Sequence, residues 1–141
     1  MSRKISDLDQ ATQGLALRLL EECLKLGIKL GIVQTYRTFD EQNAIYAQGR
    51  TAPGAVVTAA PGGYSWHNFR CAFDVDIIDF PGDPDAKDLW NGPWETVGSV
   101  GEKLGLEWGG RWKHPDRPHF EYHPNLTLAQ AREHYLQENL A

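Results

Sequence analysis

Apolar positions in the first part of the chain recur at helical spacing. Leu8, Ala11, Leu15, Leu19, Cys23 and Leu26 fall on one face, Ser6 with Asp9 offers a capping-type start, and Gly27 suits the far end. This pattern predicts a scaffold helix. Ile32 to Arg37 reads as a strand, and Thr38-x-x-Glu41 as a capping box opening a short helix that runs to Gln48 and closes at Gly49. Arg50 to Gly63 is rich in Pro and Gly around one short strand, Val56 to Thr58. From Cys71 the side chains alternate, with Cys71, Phe73, Val75 and Ile77 on one strand face and Ala72, Asp74, Asp76 and Ile78 on the other.

Asp79 to Pro93 is a turn-rich excursion in which Trp90 packs. Pro93 before Val97, Val100 and Leu104, with Gly105 after them, predicts a second core helix. Leu106-Glu107-Trp108 returns as a strand turned by Gly109-Gly110. Pro118 biases the residue before it toward extended geometry, so His119 to Tyr122 reads as a strand. Thr127-x-x-Gln130 caps a last helix, whose Leu128, Ala131, Tyr135 and Leu136 dock on the core while Arg132, Glu133 and Glu138 face water. The fold class expected is α+β: one small domain over residues 1–141, an antiparallel sheet with helices packed against it, without repeats or low-complexity segments.

A chain of 141 residues can bury one real core. A net charge of −5 argues against a nucleic-acid or anionic-membrane partner. No stretch approaches the ~20 apolar residues of a membrane span. Met1 to Asp9 places acids where a signal peptide needs an apolar run, which suggests a chain made in the cytosol. Cys23, on a helix face, and Cys71, on the strand face away from Asp74, read as buried free thiols.

The chemistry gathers in two places. His67 lies seven residues before Asp74, and Asp116-Arg117-Pro118-His119 follows some forty residues later. Two imidazoles and one carboxylate around an open fourth position make a catalytic rather than a structural zinc site. Asp76 shares the strand face of Asp74, and Glu121 that of His119, so both are rival acids. Pro118 and Pro124 bracket His119 and His123 too tightly for a helical His pair. His114, His123 and His134 read as structural or surface residues. Ser65 lacks a Gly-x-Ser-x-Gly elbow, so it reads as a loop hydrogen-bonder orienting His67 rather than a nucleophile. Taken alone, Arg37 suits a surface cation or ion pair, and Asp116 serves equally as a turn cap or a catalytic acid.

Ser65-x-His67-x-x-x-x-Ala72-x-Asp74 followed by Asp116-x-x-His119 resembles the signature of the LAS metallopeptidases, the group of lysostaphin-type enzymes, D-Ala-D-Ala peptidases and hedgehog domains. Tyr36-Arg37-Thr38, Glu41-Gln42, Tyr46 to Thr51 and Trp108-Gly109-Gly110-x-Trp112 are similar to its L-alanyl-D-glutamate peptidases, the endolysin and cell-wall hydrolase branch. Arg70 stands where that family usually has Gly.

The resemblance implies a hedgehog/DD-peptidase-like fold holding one Zn2+ through His67, Asp74 and His119. It implies Asp116 as general base and acid, Arg37 as oxyanion donor, and Gln42, Ser65, Trp66 and Trp112 as substrate contacts. The implied substrate is the stem peptide of bacterial peptidoglycan, cut between L-Ala and D-Glu by a monomer without a separate wall-binding domain, reaching the wall through holin-type release. Two alternatives stand beside it. One is a D-Ala-D-Ala carboxypeptidase, whose substrate carboxylate Arg50, Arg70 or Arg111 would hold. The other is a zinc-containing binding module without turnover.

Overall fold

The computed structural model describes residues 1–82 and 92–140, the side chain of Leu140 excepted. Trp90 therefore lies outside the described residues. The elements are α1 (Gln10–Lys25), β1 (Lys29–Gln34), α2 (Phe39–Ala47), β2 (Ala72–Asp79), α3 (Trp94–Lys103), β3 (Glu107–Trp108), β4 (His119–Glu121) and α4 (Leu128–Leu140). Short 3₁₀ turns cover Ile5–Asp7, Trp66–Phe69 and Gly109–Arg111. The strands form an antiparallel sheet in the order β1-β2-β4-β3, so β2 and β4 are its centre.

The alternation expected of β2 is present. Phe73, Val75 and Ile77 are buried in the core, whereas Asp76 and Ile78 are exposed on the other face. Phe73 stacks on Phe120 of β4, with ring centroids 5.8 Å apart, and both are fully buried. Each such side chain contributes on the order of 1.5–3 kcal/mol relative to exposure. Helices α1 and α3 cover this face through Leu19, Cys23, Trp94 and Val97. Close approach of α3 depends on missing side chains, since a Cβ on Gly98 would sit 2.2 Å from the Trp108 ring and one on Gly101 2.4 Å from Phe120.

Several sequence expectations shift. Asp9 caps α1, its carboxylate accepting from Thr12 N at 2.8 Å, because Ile5–Asp7 forms its own turn and pulls Ser6 out of the capping position. The buried stripe of α1 is Leu8, Thr12, Ala16, Leu19 and Cys23, rotated so that Ala11 and Leu26 face outward. Strand β1 ends at Gln34 instead of Arg37, after an irregularity between Ile32 and Gln34 that sets Gln34 opposite Asp74. Val56 to Thr58 forms no strand, and no backbone ladder reaches it among the described residues.

Leu136 is exposed, while Arg132 bonds the Gly63 carbonyl at 3.2 Å and lies over Tyr64, so these two exchange the places expected of them. Both cysteines are buried and free, as expected. No helix of the described residues is long and apolar enough to cross a membrane.

Candidate metal centre

The pleat of β2 puts Asp74 on the face opposite the core, and antiparallel register sets His119 of β4 directly across from it. The third group comes from the Trp66–Phe69 turn. Ser65 opens that turn with a side chain accepting from His67 N at 3.3 Å, in a reciprocal capping box with Asn68. Asn68 is buried and fastens the turn from inside, donating to the Arg37 carbonyl at 2.9 Å and accepting from Gly63 N at 3.0 Å.

Asp74 Oδ1 then lies 3.3 Å from His67 Nε2 and 3.2 Å from His119 Nδ1. One donor atom from each of the three lies within 4.8 Å of the others. His67 Nδ1–H donates to the Thr35 carbonyl at 2.8 Å, which leaves the Nε2 lone pair directed inward. His119 Nε2 bonds Glu121 Oε1 at 2.8 Å, which leaves Nδ1 on the inner side. Two imidazole nitrogens facing one carboxylate, with their outer nitrogens committed elsewhere, fit a cation between them.

Burial alone would push His119 down, but its hydrogen bonds and charge contacts with Asp74 and Glu121 outweigh burial and raise it to about 10. Burial would likewise raise Asp74 and Glu121, yet the histidines beside each hold both below the usual carboxylate range.

Asp116 sits on the rim of the same cleft. Its loop is fixed from below: Asp116 N donates to the Gly109 carbonyl at 2.8 Å, His119 N to the Asp116 carbonyl at 3.2 Å, and Trp108 Nε1 to the Arg117 carbonyl at 2.8 Å. A Cβ on Gly109 would stand 2.4 Å from the Asp116 carbonyl oxygen, so this glycine is required by close approach. Although Asp116 is exposed as a residue, crowding of its carboxyl by the cleft raises the pKa. The charge of Asp74 adds to this, against the pull of His119, His67 and Arg37.

Arg37 reaches the cleft from the loop after β1 and is itself buried. Its Nη1 donates to Gln42 Oε1 at 2.8 Å and its Nη2 to Gln34, while Nε has no hydrogen-bond partner among the described residues. Burial lowers its pKa against the raising effect of Asp74, Glu41 and Asp116. Gln42 is fully buried behind Arg37, donating to the Ala60 carbonyl at 2.7 Å, and does not line the cleft. The cleft encloses about 1040 Å³, and Ser65, Trp66 and Trp112 border it. Trp112 leans over His119 with ring centroids 5.0 Å apart.

The rival groups separate from the site in different ways. Asp76 is exposed outside the ligand cluster. Glu121 borders the cleft but meets His119 at Nε2, away from the Nδ1 that faces Asp74, and lies outside the ligand cluster. Three features carried little sequence signal: the Thr35 carbonyl, Gln34 as a second partner of Arg37, and His123. His123 bonds Glu121 and stacks face to face on Trp66 at 3.8 Å. Backbone acceptors and second partners have no fixed spacing to search for.

An antiparallel sheet that presents a His-Asp-His cluster in an open cleft defines the class, and comparison with known proteins gives its name. The chain belongs to the LAS-type zinc metallopeptidases of the D-alanyl-D-alanine carboxypeptidase family, whose model matches residues 58–122. It is 35% identical over 131 residues to the peptidoglycan L-alanyl-D-glutamate endopeptidase CwlK of Bacillus subtilis, covering 85% of this chain and 76% of that protein.

Solved structures share the fold at lower identity. The LdcB LD-carboxypeptidase matches with a TM-score of 0.64 at 18% identity, over 99% of this chain and 68% of that one. The L-Ala D-Glu endopeptidase ChiX of Serratia marcescens matches at 0.54 and 18%, over 84% and 83%. A vancomycin-resistance D,D-pentapeptidase VanY in complex with Zn(II) matches at 0.59 and 14%, over 95% and 84%.

Proposed function

We propose that this protein is an endopeptidase of the peptidoglycan stem peptide, cutting between L-Ala and D-Glu. The observation that carries the reading is the convergence of His67, Asp74 and His119 on one point, with Asp116 and Arg37 in the same cleft. Kinship with CwlK supports the choice of bond.

A bound Zn2+ supplies a Lewis acid for a carbonyl oxygen and lowers the pKa of water to about 7. Asp116 accepts the proton of the attacking water and returns it to the leaving amide nitrogen, from its place in the cleft beside His119. Arg37 donates to the carbonyl oxygen as negative charge grows there, held in place by Gln42 and Gln34. Ser65 and Asn68 keep His67 on station. Trp66 and Trp112 form walls against which the peptide lies.

A D-Ala-D-Ala carboxypeptidase would need a cation for a free carboxylate. The three arginines open to that role point elsewhere. Arg111 pairs with Glu95 and Glu102, Arg50 lies over Tyr46, and Arg70 lies over Tyr36, and none of them borders the cleft. This favours the endopeptidase. We propose further that residues 1–141 act as one monomeric catalytic domain on wall peptide reached through holin-type release.

The test is mass analysis of purified peptidoglycan digested with and without a chelator. Chelator-sensitive release of stem peptides beginning at D-Glu is expected, while freed D-Ala would overturn the assignment.

A further inference from the structure

The geometry points to Glu121 as a positioning residue that sets metal affinity by gripping His119 and that is itself steadied by His123 and Trp66. This rests on the reading that His67, Asp74 and His119 hold the metal. Glu121 is a buried carboxylate at the third position of β4, on the same strand face as His119. Its two oxygens are divided: Oε1 takes His119 Nε2 at 2.8 Å, and Oε2 takes His123 Nε2.

The first contact fixes which His119 nitrogen faces Asp74. A histidine ligand turns about two side-chain bonds, so an outer carboxylate that holds Nε2–H restricts the ring to the plane in which Nδ1 meets the ion. With the second oxygen unbound, Glu121 would be held through His119 alone. His123 prevents that, and His123 is in turn clamped by Trp66, whose ring lies parallel to it within 3°. Trp66 also walls the cleft and adjoins His67 in sequence. A chain of contacts thus runs from a cleft wall, through His123 and Glu121, to a metal ligand.

Glu107, Glu121 and His123 also come close enough to suggest a second cation site. The relay explains that proximity without one, because both Glu121 oxygens are already engaged by imidazoles and Glu107 accepts from Trp112 Nε1 at 3.3 Å.

The experiment is a zinc dissociation constant from competition with a chromophoric chelator, for the wild type, Glu121→Ala, Glu121→Gln, His123→Ala and Trp66→Ala. Loss of an outer partner of a metal histidine weakens binding about 10–100-fold, and that is expected of Glu121→Ala. Glu121→Gln, which still offers His119 an acceptor, should recover part of the loss. His123→Ala and Trp66→Ala should each weaken zinc severalfold although neither side chain supplies a ligand atom.

Unfolding of each chelated protein separates this from a general loss of stability, which would lower the apo midpoint without ordering the zinc affinities. His123→Ala keeps the test open should Glu121→Ala fail to fold. Zinc affinities of Glu121→Ala or His123→Ala within twofold of wild type would overturn the proposal. A wild type that binds no zinc would instead overturn the ligand assignment beneath it.

Discussion

Arg37 Nη1 donates to Gln42 Oε1 at 2.8 Å inside the protein, so the cleft's guanidinium is aimed by a side chain that never meets solvent. Arg37→Ala is expected to lower kcat by ~10²–10³ with zinc retained, the cost of removing one oxyanion donor. Gln42→Ala leaves the guanidinium present but loose, and should cost about 10-fold in kcat with KM little changed. Steady-state kinetics on a defined stem peptide measures both. A larger loss in Gln42→Ala than in Arg37→Ala would contradict the order of dependence.

Asp116 should be separable from the metal ligands. Asp116→Ala is expected to keep one zinc and its fold yet lose on the order of 10²–10⁴ in kcat, the usual worth of a positioned acid–base group. Metal content measured alongside activity checks this. Near-normal turnover in that variant would remove Asp116 from the mechanism.

Arg70 occupies the left-handed region at φ 64°, which explains why a glycine suits the position. The arginine recovers part of that strain by donating to the Asp7 carbonyl at 2.8 Å and lying 3.9 Å over the Tyr36 ring. Arg70→Gly relieves strain while losing both contacts, so its stability should stay within about 1 kcal/mol of wild type. Arg70→Ala keeps the strain and loses the contacts, and should be the less stable of the two in urea unfolding. The reverse order would show that the left-handed backbone at this position carries no strain for a glycine to relieve.

Burial pushes the Cys23 thiol up to about 11, with a smaller push from Glu22. The folded state therefore favours the neutral thiol. Stability from this group is complete below the unfolded value near 9 and is lost as pH rises from there through about 11. Unfolding free energy should fall over that window, and less steeply in Cys23→Ala. A thiol reagent at pH 8 should leave the native protein unlabelled and label two cysteines after denaturation. Rapid native labelling would contradict the burial of Cys23 and Cys71.

The parts legible in the sequence are those governed by short-range rules. Strand alternation put Asp74 opposite Phe73 and Val75, and Pro118 forced His119 into the strand that pairs with it. The Thr38–Glu41 capping box formed as read, with bonds of 3.0 and 2.9 Å. What escaped depends on contacts between distant segments. Val56 to Thr58 has β-branched residues but pairs with no strand among the described residues, so propensity alone did not make a strand. Gly109 read as a turn glycine, and its role as the seat for Asp116 appears when a Cβ is placed 2.4 Å from that residue's carbonyl oxygen. Glu121 shared a face with His119 as expected, but whether it would stand beside the metal or behind the ligand depended on the direction of the imidazole, which no spacing encodes.

Zinc stoichiometry of the purified protein and of folded Asp74→Ala and His119→Ala variants tests the centre of this reading. One zinc per wild-type chain, and loss of both metal and chelator-sensitive peptide cleavage in each variant, is the expected result. Folded variants that keep a full equivalent of zinc, or a metal-stripped wild type that still cleaves, would contradict it.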